Sequence, residues 1–117
     1  MKDETLSELA TSLRAFAKER DWDQFHSPRN LAAALSVEAA EILEHFQWMS
    51  DEQSTSISSK KRKEIALELA DVFLYLIRLA DRLDIDLIAS AKKKLTINAE
   101  KYPVDLARGS SKKYTEL

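Results

Sequence analysis

Leu6, Leu9, Leu13, Phe16 and Ala17 recur at three- and four-residue steps. That spacing predicts an amphipathic helix over about residues 4–20. RDWDQFHSP (20–28) breaks the period with a compact aromatic linker, and Ser27 with Pro28 forms a helix start. The hydroxyl can cap free amides, and a proline in the first turn loses no hydrogen bond. A second helix is expected from Pro28 to about Met49. SDEQSTSISS (50–59) is non-periodic and reads as an exposed loop. A third helix begins after Ser58 or Ser59 and continues to about Leu83, where DID (84–86) interrupts the pattern. A fourth, from about Asp86 to Tyr102, ends against Pro103. The remaining VDLARGSSKKYTEL holds the only glycine and is expected to lie along a surface or a neighbouring subunit.

Helices of unequal length with short links predict an all-α protein, a compact four-helix bundle. One domain is expected over residues 1–117, with an extended tail from about residue 103. On the third helix Ile65, Leu69, Val72, Leu76, Leu79 and Leu83 form one stripe, while Leu67, Leu74 and Ile77 lie elsewhere on the wheel. A helix apolar on more than one side is buried on more than one side, which in a chain of 117 residues predicts an oligomer.

Composition narrows the class. A chain 44% hydrophobic and 32% charged is globular rather than disordered. One Gly and two Pro leave little material for the turns of a β protein. A net charge of −2 recommends no nucleic-acid polymer as partner. With no cysteine there is no disulfide framework, thiolate nucleophile or zinc knuckle. MKDETLSEL is too polar for a signal peptide, and VFLYLI (72–77) is too short to span a bilayer. The cytoplasm is the expected location, without a membrane partner.

The acidic residues change the picture most. With Leu31 at zero, Leu35, Ile42, Phe46 and Met49 fall between roughly 0° and 60° at 100° per residue. Glu38 falls at roughly −20°, inside this apolar arc, and Glu41 at roughly −80°, on its edge. Glu44 lies near roughly 220° and is a solvated charge. On the third helix Glu64, Glu68, Asp71 and Tyr75 fall between roughly −60° and −120° from Ile65, an acidic stripe beside the core. Glu38 with Glu41, and Glu68 with Asp71, are pairs three residues apart. Packed together they would set four like charges in a partly buried cleft, unfavourable unless a proton or a cation neutralises them. An all-oxygen site suits Mg²⁺ or Mn²⁺, which meet substrates through phosphate oxygens. A di-iron bundle would need Glu-x-x-His, and position 42, three before His45, is Ile. The competing reading is of acidic pairs on solvated faces.

In the fourth helix Asn98 interrupts an apolar line of Ile88, Ala91, Leu95 and Tyr102, flanked by Lys94 and Lys101. These groups could bind a phosphate tail or form an interface cluster. Trp22, Phe25, His26 and Trp48 could enclose a nucleobase or belong to the core. KKRK (60–63) is best read as a solvated helix start. A single Gly rules out a phosphate-binding glycine loop, and nothing suggests a nucleophilic triad.

The stretches ERDWDQFHSPRNLA (19–32), EAAEILEHFQW (38–48), ELADVFLYL (68–76) and KLTINAEKYPVDLARGSSKKYTEL (94–117) give the chain a resemblance along nearly its whole length. It resembles the MazG-like all-α nucleoside triphosphate pyrophosphohydrolases, most closely their dCTP pyrophosphatase branch. The resemblance implies a tetramer built as a dimer of dimers and hydrolysis of a nucleoside triphosphate between its α and β phosphates. It implies Glu38, Glu41, Glu68 and Asp71 as Mg²⁺ ligands, with Glu41 or Glu38 orienting or deprotonating the attacking water. It places Asn98, Lys101 and Tyr102 near the phosphates, with Lys94 as a further candidate. His26 and Trp48 are implied near the base, together with Trp22. Many relatives carry Gly where this chain has Ala40, a departure that leaves the ligand spacing intact. Two other readings stay open: a pyrophosphohydrolase acting on another nucleotide such as dUTP, and a non-catalytic helical interaction module.

Overall fold

The computed structural model describes residues 5–117, so the predicted first residue of the first helix lies outside them. The described residues are helical with no strand: α1 (Leu6–Glu19), α2 (Pro28–Phe46), α3 (Asp51–Ser54), α4 (Ser59–Arg82), α5 (Leu87–Lys101) and α6 (Val104–Ala107), with single 3-10 turns at Asp23–Phe25 and Tyr114–Glu116. The all-α expectation holds.

Helix ends follow local chemistry. The Ser27 hydroxyl accepts from the Asn30 amide at 3.1 Å, Ser58 from Lys61 at 3.1 Å, and Asp86 from Ala89 at 3.0 Å. Each satisfies an amide that the first turn leaves without an intrahelical partner. The DID interruption thus contains a stop and a start. Asp84 takes the left-handed conformation (φ 54°) that ends α4, as Asp21 (φ 55°) does after α1, and Asp86 caps α5. A short polar side chain tolerates that region better than a branched one, so aspartate serves where glycine is more usual.

SDEQSTSISS is not simply a loop. Its Ser50 and Gln53 form a reciprocal capping box that supports the single turn of α3. A four-residue helix is too short to leave a periodicity, which is why the pattern misses it. α2 stops at Phe46, a turn short of Met49.

The chain divides after Asp84 into two compact units. In the first, α4 is the central element, with α2 and α1 both packed against it. Ala17, Leu31, Ile65, Ile77 and Ala80 are its buried apolar residues. The predicted stripe on α4 is only partly right: Leu69 and Leu83 are exposed, whereas Ile77, placed off the stripe, is buried. Periodicity locates apolar positions, but α1 and α2 decide which of them are covered. Val37 and Leu43 on α2, with Leu67, Leu69 and Phe73 on α4, remain as exposed apolar surface. In the second unit α5 exposes Ile88 and Leu95. No helix among the described residues is long and apolar enough to cross a membrane.

Because α4 organises the first unit, its cap matters. Ser58→Ala is expected to lower stability by about 1 kcal/mol, read as a lower urea midpoint with unchanged slope.

Candidate active site

Packing of α2 on α4 brings the predicted carboxylates together. One oxygen from each of Glu38, Glu41 and Glu68 lies within 4.8 Å of the others, and all three side chains are half-buried. The phase of Glu38, inside the apolar arc, is what aims it at α4. Oε2 of Glu38 and Oε2 of Glu68 are fully shielded from solvent yet have no hydrogen-bond partner. A buried carboxylate oxygen left this way is costly unless a proton or cation meets it. The Glu38 carboxyl is accordingly pushed up to about 7, first by burial, then by its contact with Glu41 and by the charges of Glu41 and Asp71. Glu68 is raised too, again mainly by burial and then by Glu41. Each carboxylate makes its neighbour harder to ionise.

These residues fit a divalent cation. An octahedral Mg²⁺ with oxygens at about 2.1 Å separates its ligand atoms by roughly 3 to 4 Å. Oxygens already within 4.8 Å of one another need only small side-chain shifts to meet it. Two orphaned anionic oxygens and a raised proton affinity are what such an ion would relieve. Asp71, one turn beyond Glu68, does not join the three-oxygen cluster. It is exposed, acts on Glu38 through its charge, and lines the neighbouring cavity.

That cavity, about 220 Å³ in volume, is walled by α1, the aromatic linker and α4. Phe16, Trp22, Leu74 and Tyr75 supply its apolar lining, and Asp71, His26 and Arg78 its polar groups. The Trp22 ring meets Phe16 edge-on at 5.7 Å and His26 at 6.2 Å, geometries that aromatic pairs favour. The shared Asp71 joins the acidic cluster to a ring-lined recess.

Trp48 does not join Trp22 and His26 within one chain. It is 88% exposed and lies with Met49, Gln53, Ile57 and Lys61 along a separate groove. Asn98, Lys101 and Tyr102 belong to the second unit. There the Tyr102 amide donates to the Asn98 carbonyl at 2.9 Å, Tyr102 packs edge-on against Tyr114 at 6.0 Å, and the Lys101 ammonium sits 4.7 Å from the centre of the Tyr114 ring. Lys94 is exposed on α5.

Sequence reasoning missed Arg78 and Asp23. Arg78 is only 5% exposed. Its NH2 donates to Asp23 at 2.7 Å, its Nε donates to His26 Nδ1 at 3.3 Å, and its NH1 lies 3.7 Å from Asp81. Asp81 also receives Arg14 of α1 at 2.8 Å, so the network ties α1, the linker and α4 together. A signal existed: Arg78 is the one charge within VFLYLIRLA (72–80) and continues the phase of Asp71 and Tyr75.

Fold and cluster define the class: an all-helical protein whose paired acidic helices can hold a divalent cation beside a ring-sized recess. Residues 33–117 match the MazG-like family. Human dCTP pyrophosphatase 1 is 46% identical over 115 residues, covering 97% of this chain and 68% of that protein; its rat counterpart is 44% identical over the same length. The crystal structure of a pyrophosphatase from Archaeoglobus fulgidus superposes with a TM-score of 0.81 at 38% identity, covering 88% of this chain and 96% of the other. The chain belongs to the MazG-like family.

Proposed function

We propose that this protein hydrolyses dCTP, or a modified dCTP, between the α and β phosphates, releasing dCMP and pyrophosphate in the sanitation of the nucleotide pool. The chain is an enzyme, a nucleoside triphosphate pyrophosphohydrolase. The observation that carries the reading is a half-buried triad of carboxylates with orphaned oxygens, linked through Asp71 to an aromatic recess. A nucleotide has the same two ends, a polyanion needing cations and a planar ring needing apolar walls.

Glu38, Glu41 and Glu68 would hold Mg²⁺, or Mn²⁺ in its place, with Asp71 on the side facing the recess. When bound, the ion supplies neutralisation of the triphosphate charge and a more acidic bound water. Glu41 orients the attacking water and receives its proton, with Glu38 next to it as the alternative. The apolar walls around Trp22 exclude bulk water from the base and fix the nucleotide's direction, which converts binding into alignment of the scissile bond. Asn98, Lys101 and Tyr102, with Lys94, are the proposed phosphate-binding residues of the second unit, where they offer donors and positive charge.

Two features support assembly as a tetramer, a dimer of dimers: the uncovered apolar faces of α2 and α4, and the exposure of Trp48. A Trp48 from a neighbouring copy then closes over the base that its own chain leaves open. The family match runs across the division after Asp84, which supports one functional domain over the whole chain. The cytoplasm, where free nucleotides are held, is its proposed location.

Phosphorus NMR of a reaction containing Mg²⁺ and dCTP should show equimolar dCMP and pyrophosphate, and a panel of other triphosphates should react more slowly. Orthophosphate as the direct product would overturn the proposed cleavage, and faster turnover of dUTP would move the assignment to another base.

A further inference from the structure

We propose that Arg78 is a positioning residue for base recognition: it holds His26 as the neutral tautomer protonated on Nε2, so that the ring offers one donor to the acceptor edge of a nucleobase in the recess. The role of the base rests on the proposed nucleotide substrate; the role of Arg78 toward His26 rests on the geometry alone.

A guanidinium has donors and no acceptor. Its Nε donates to Nδ1 of His26 at 3.3 Å, so Nδ1 carries the lone pair and the ring's proton sits on Nε2. Nε2 has no hydrogen-bond partner among the described residues and is not an orphaned buried atom, so it is free to meet a ligand. Burial and the charge of Arg78, assisted by Arg82, lower the proton affinity of His26 against the opposing pull of Asp23. The ring therefore stays neutral beside a cation. Arg78 is not itself a phosphate ligand. Asp23 accepts from NH2 at 2.7 Å, the Asp81 carboxylate lies 3.7 Å from NH1, and 5% exposure leaves little of the guanidinium within reach of a ligand.

A fixed donor in the recess has a chemical consequence. Cytosine presents adjacent acceptors at O2 and N3, whereas uracil and thymine carry a donor at N3. A donor placed at that edge favours cytosine, because the other pyrimidines would bring two donors together. Without Arg78 the unpaired Asp23 draws a second proton onto the ring at Nδ1, and nothing fixes the imidazole's orientation, so the neutral ring with one donor held at that edge is lost.

Nitrogen NMR of the histidines and steady-state kinetics test this together. Wild-type His26 should show a protonated Nε2 and a bare Nδ1, with Nε2 shifting when deoxycytidine is added; Arg78→Met should lose both features. In kinetics R78M should raise KM for dCTP about 10-fold, the worth of one hydrogen bond, with kcat within about twofold. It should leave 1,2-dideoxyribose triphosphate, which has no base, unchanged. His26→Gln retains a donor without needing tautomer control, so adding R78M to H26Q should change KM less than about twofold. Should R78M fail to fold, Arg78→Lys replaces it, since one ammonium keeps the charge but cannot reproduce the fork to Asp23 and His26.

A wild-type His26 protonated on Nδ1, an equal loss in the H26Q background, or an equal loss with the base-free triphosphate would each overturn the proposal. Failure of the wild-type enzyme to cleave either triphosphate would sink the hydrolase reading alone. The His26 spectrum and its response to deoxycytidine would still decide the role of Arg78.

Discussion

Glu38→Gln leaves the fold intact and lowers kcat by at least about 100-fold, the upper range seen when only an outer partner of a metal ligand is lost. Glutamine keeps the shape of the side chain and removes its charge, so a loss of activity reports chemistry rather than packing. Oε2 of Glu38 is buried without a partner, and Glu68 has an equally orphaned oxygen. An amide at position 38 can donate toward these neighbours, which relieves the repulsion that burial imposes on them. The variant should therefore melt no lower than the wild type without metal, while losing turnover. Circular-dichroism melts beside initial rates of pyrophosphate release check both halves. Turnover within a few-fold of wild type would remove Glu38 from the site.

The second large effect is on stability. Saturating Mg²⁺, at about 100 times its dissociation constant, should stabilise the wild type by about 2.7 kcal/mol. That corresponds to a rise in Tm of about 10 °C for a chain of this size. Chelation should reverse it, and E38Q should show little of it. Protein concentration must be held constant, since assembly also shifts Tm by mass action.

The pH dependence without metal has a definite sign. Glu38 ionises about 7 in the folded chain against a usual value of 4.5. Between those values the folded state binds more protons than the unfolded one, so stability falls as pH rises through that window. Above about 7 the full cost of the buried charge is present, and below 4.5 this group contributes nothing. Mg²⁺ competes with the same proton, so its stabilisation should grow as pH rises toward 8. A wild-type Tm equally responsive to Mg²⁺ at pH 5 and pH 8 would contradict this coupling.

Much of the candidate site was legible in the pattern of residues. The helical phase placed Glu38 among apolar residues, and only a cation or a proton makes that tolerable; the structure puts Glu41 and Glu68 beside it. Asp71 was legible as a neighbour on the same stripe, but not its place on the wall of a cavity. Trp48 read as a companion of Trp22 and His26, yet within a single chain it faces another groove. Spacing on a helix reports direction, and the ends of α2 point away from one another whatever their residue types.

Local physical chemistry, which depends on neighbours a few residues away, was thus written in the sequence itself: the helical segments, the caps at Ser27 and Ser58, the absence of any glycine phosphate loop, and the two acidic pairs. Tertiary packing alone decided which part of α4 became core, that Leu69 stayed exposed, and that Arg78 turned inward to Asp23 and His26. Those outcomes depend on residues more than fifty positions apart meeting across the fold. No periodicity within one helix encodes which distant surface will cover it, and that covering, by removing water, is what gives Glu38 and Arg78 their chemistry.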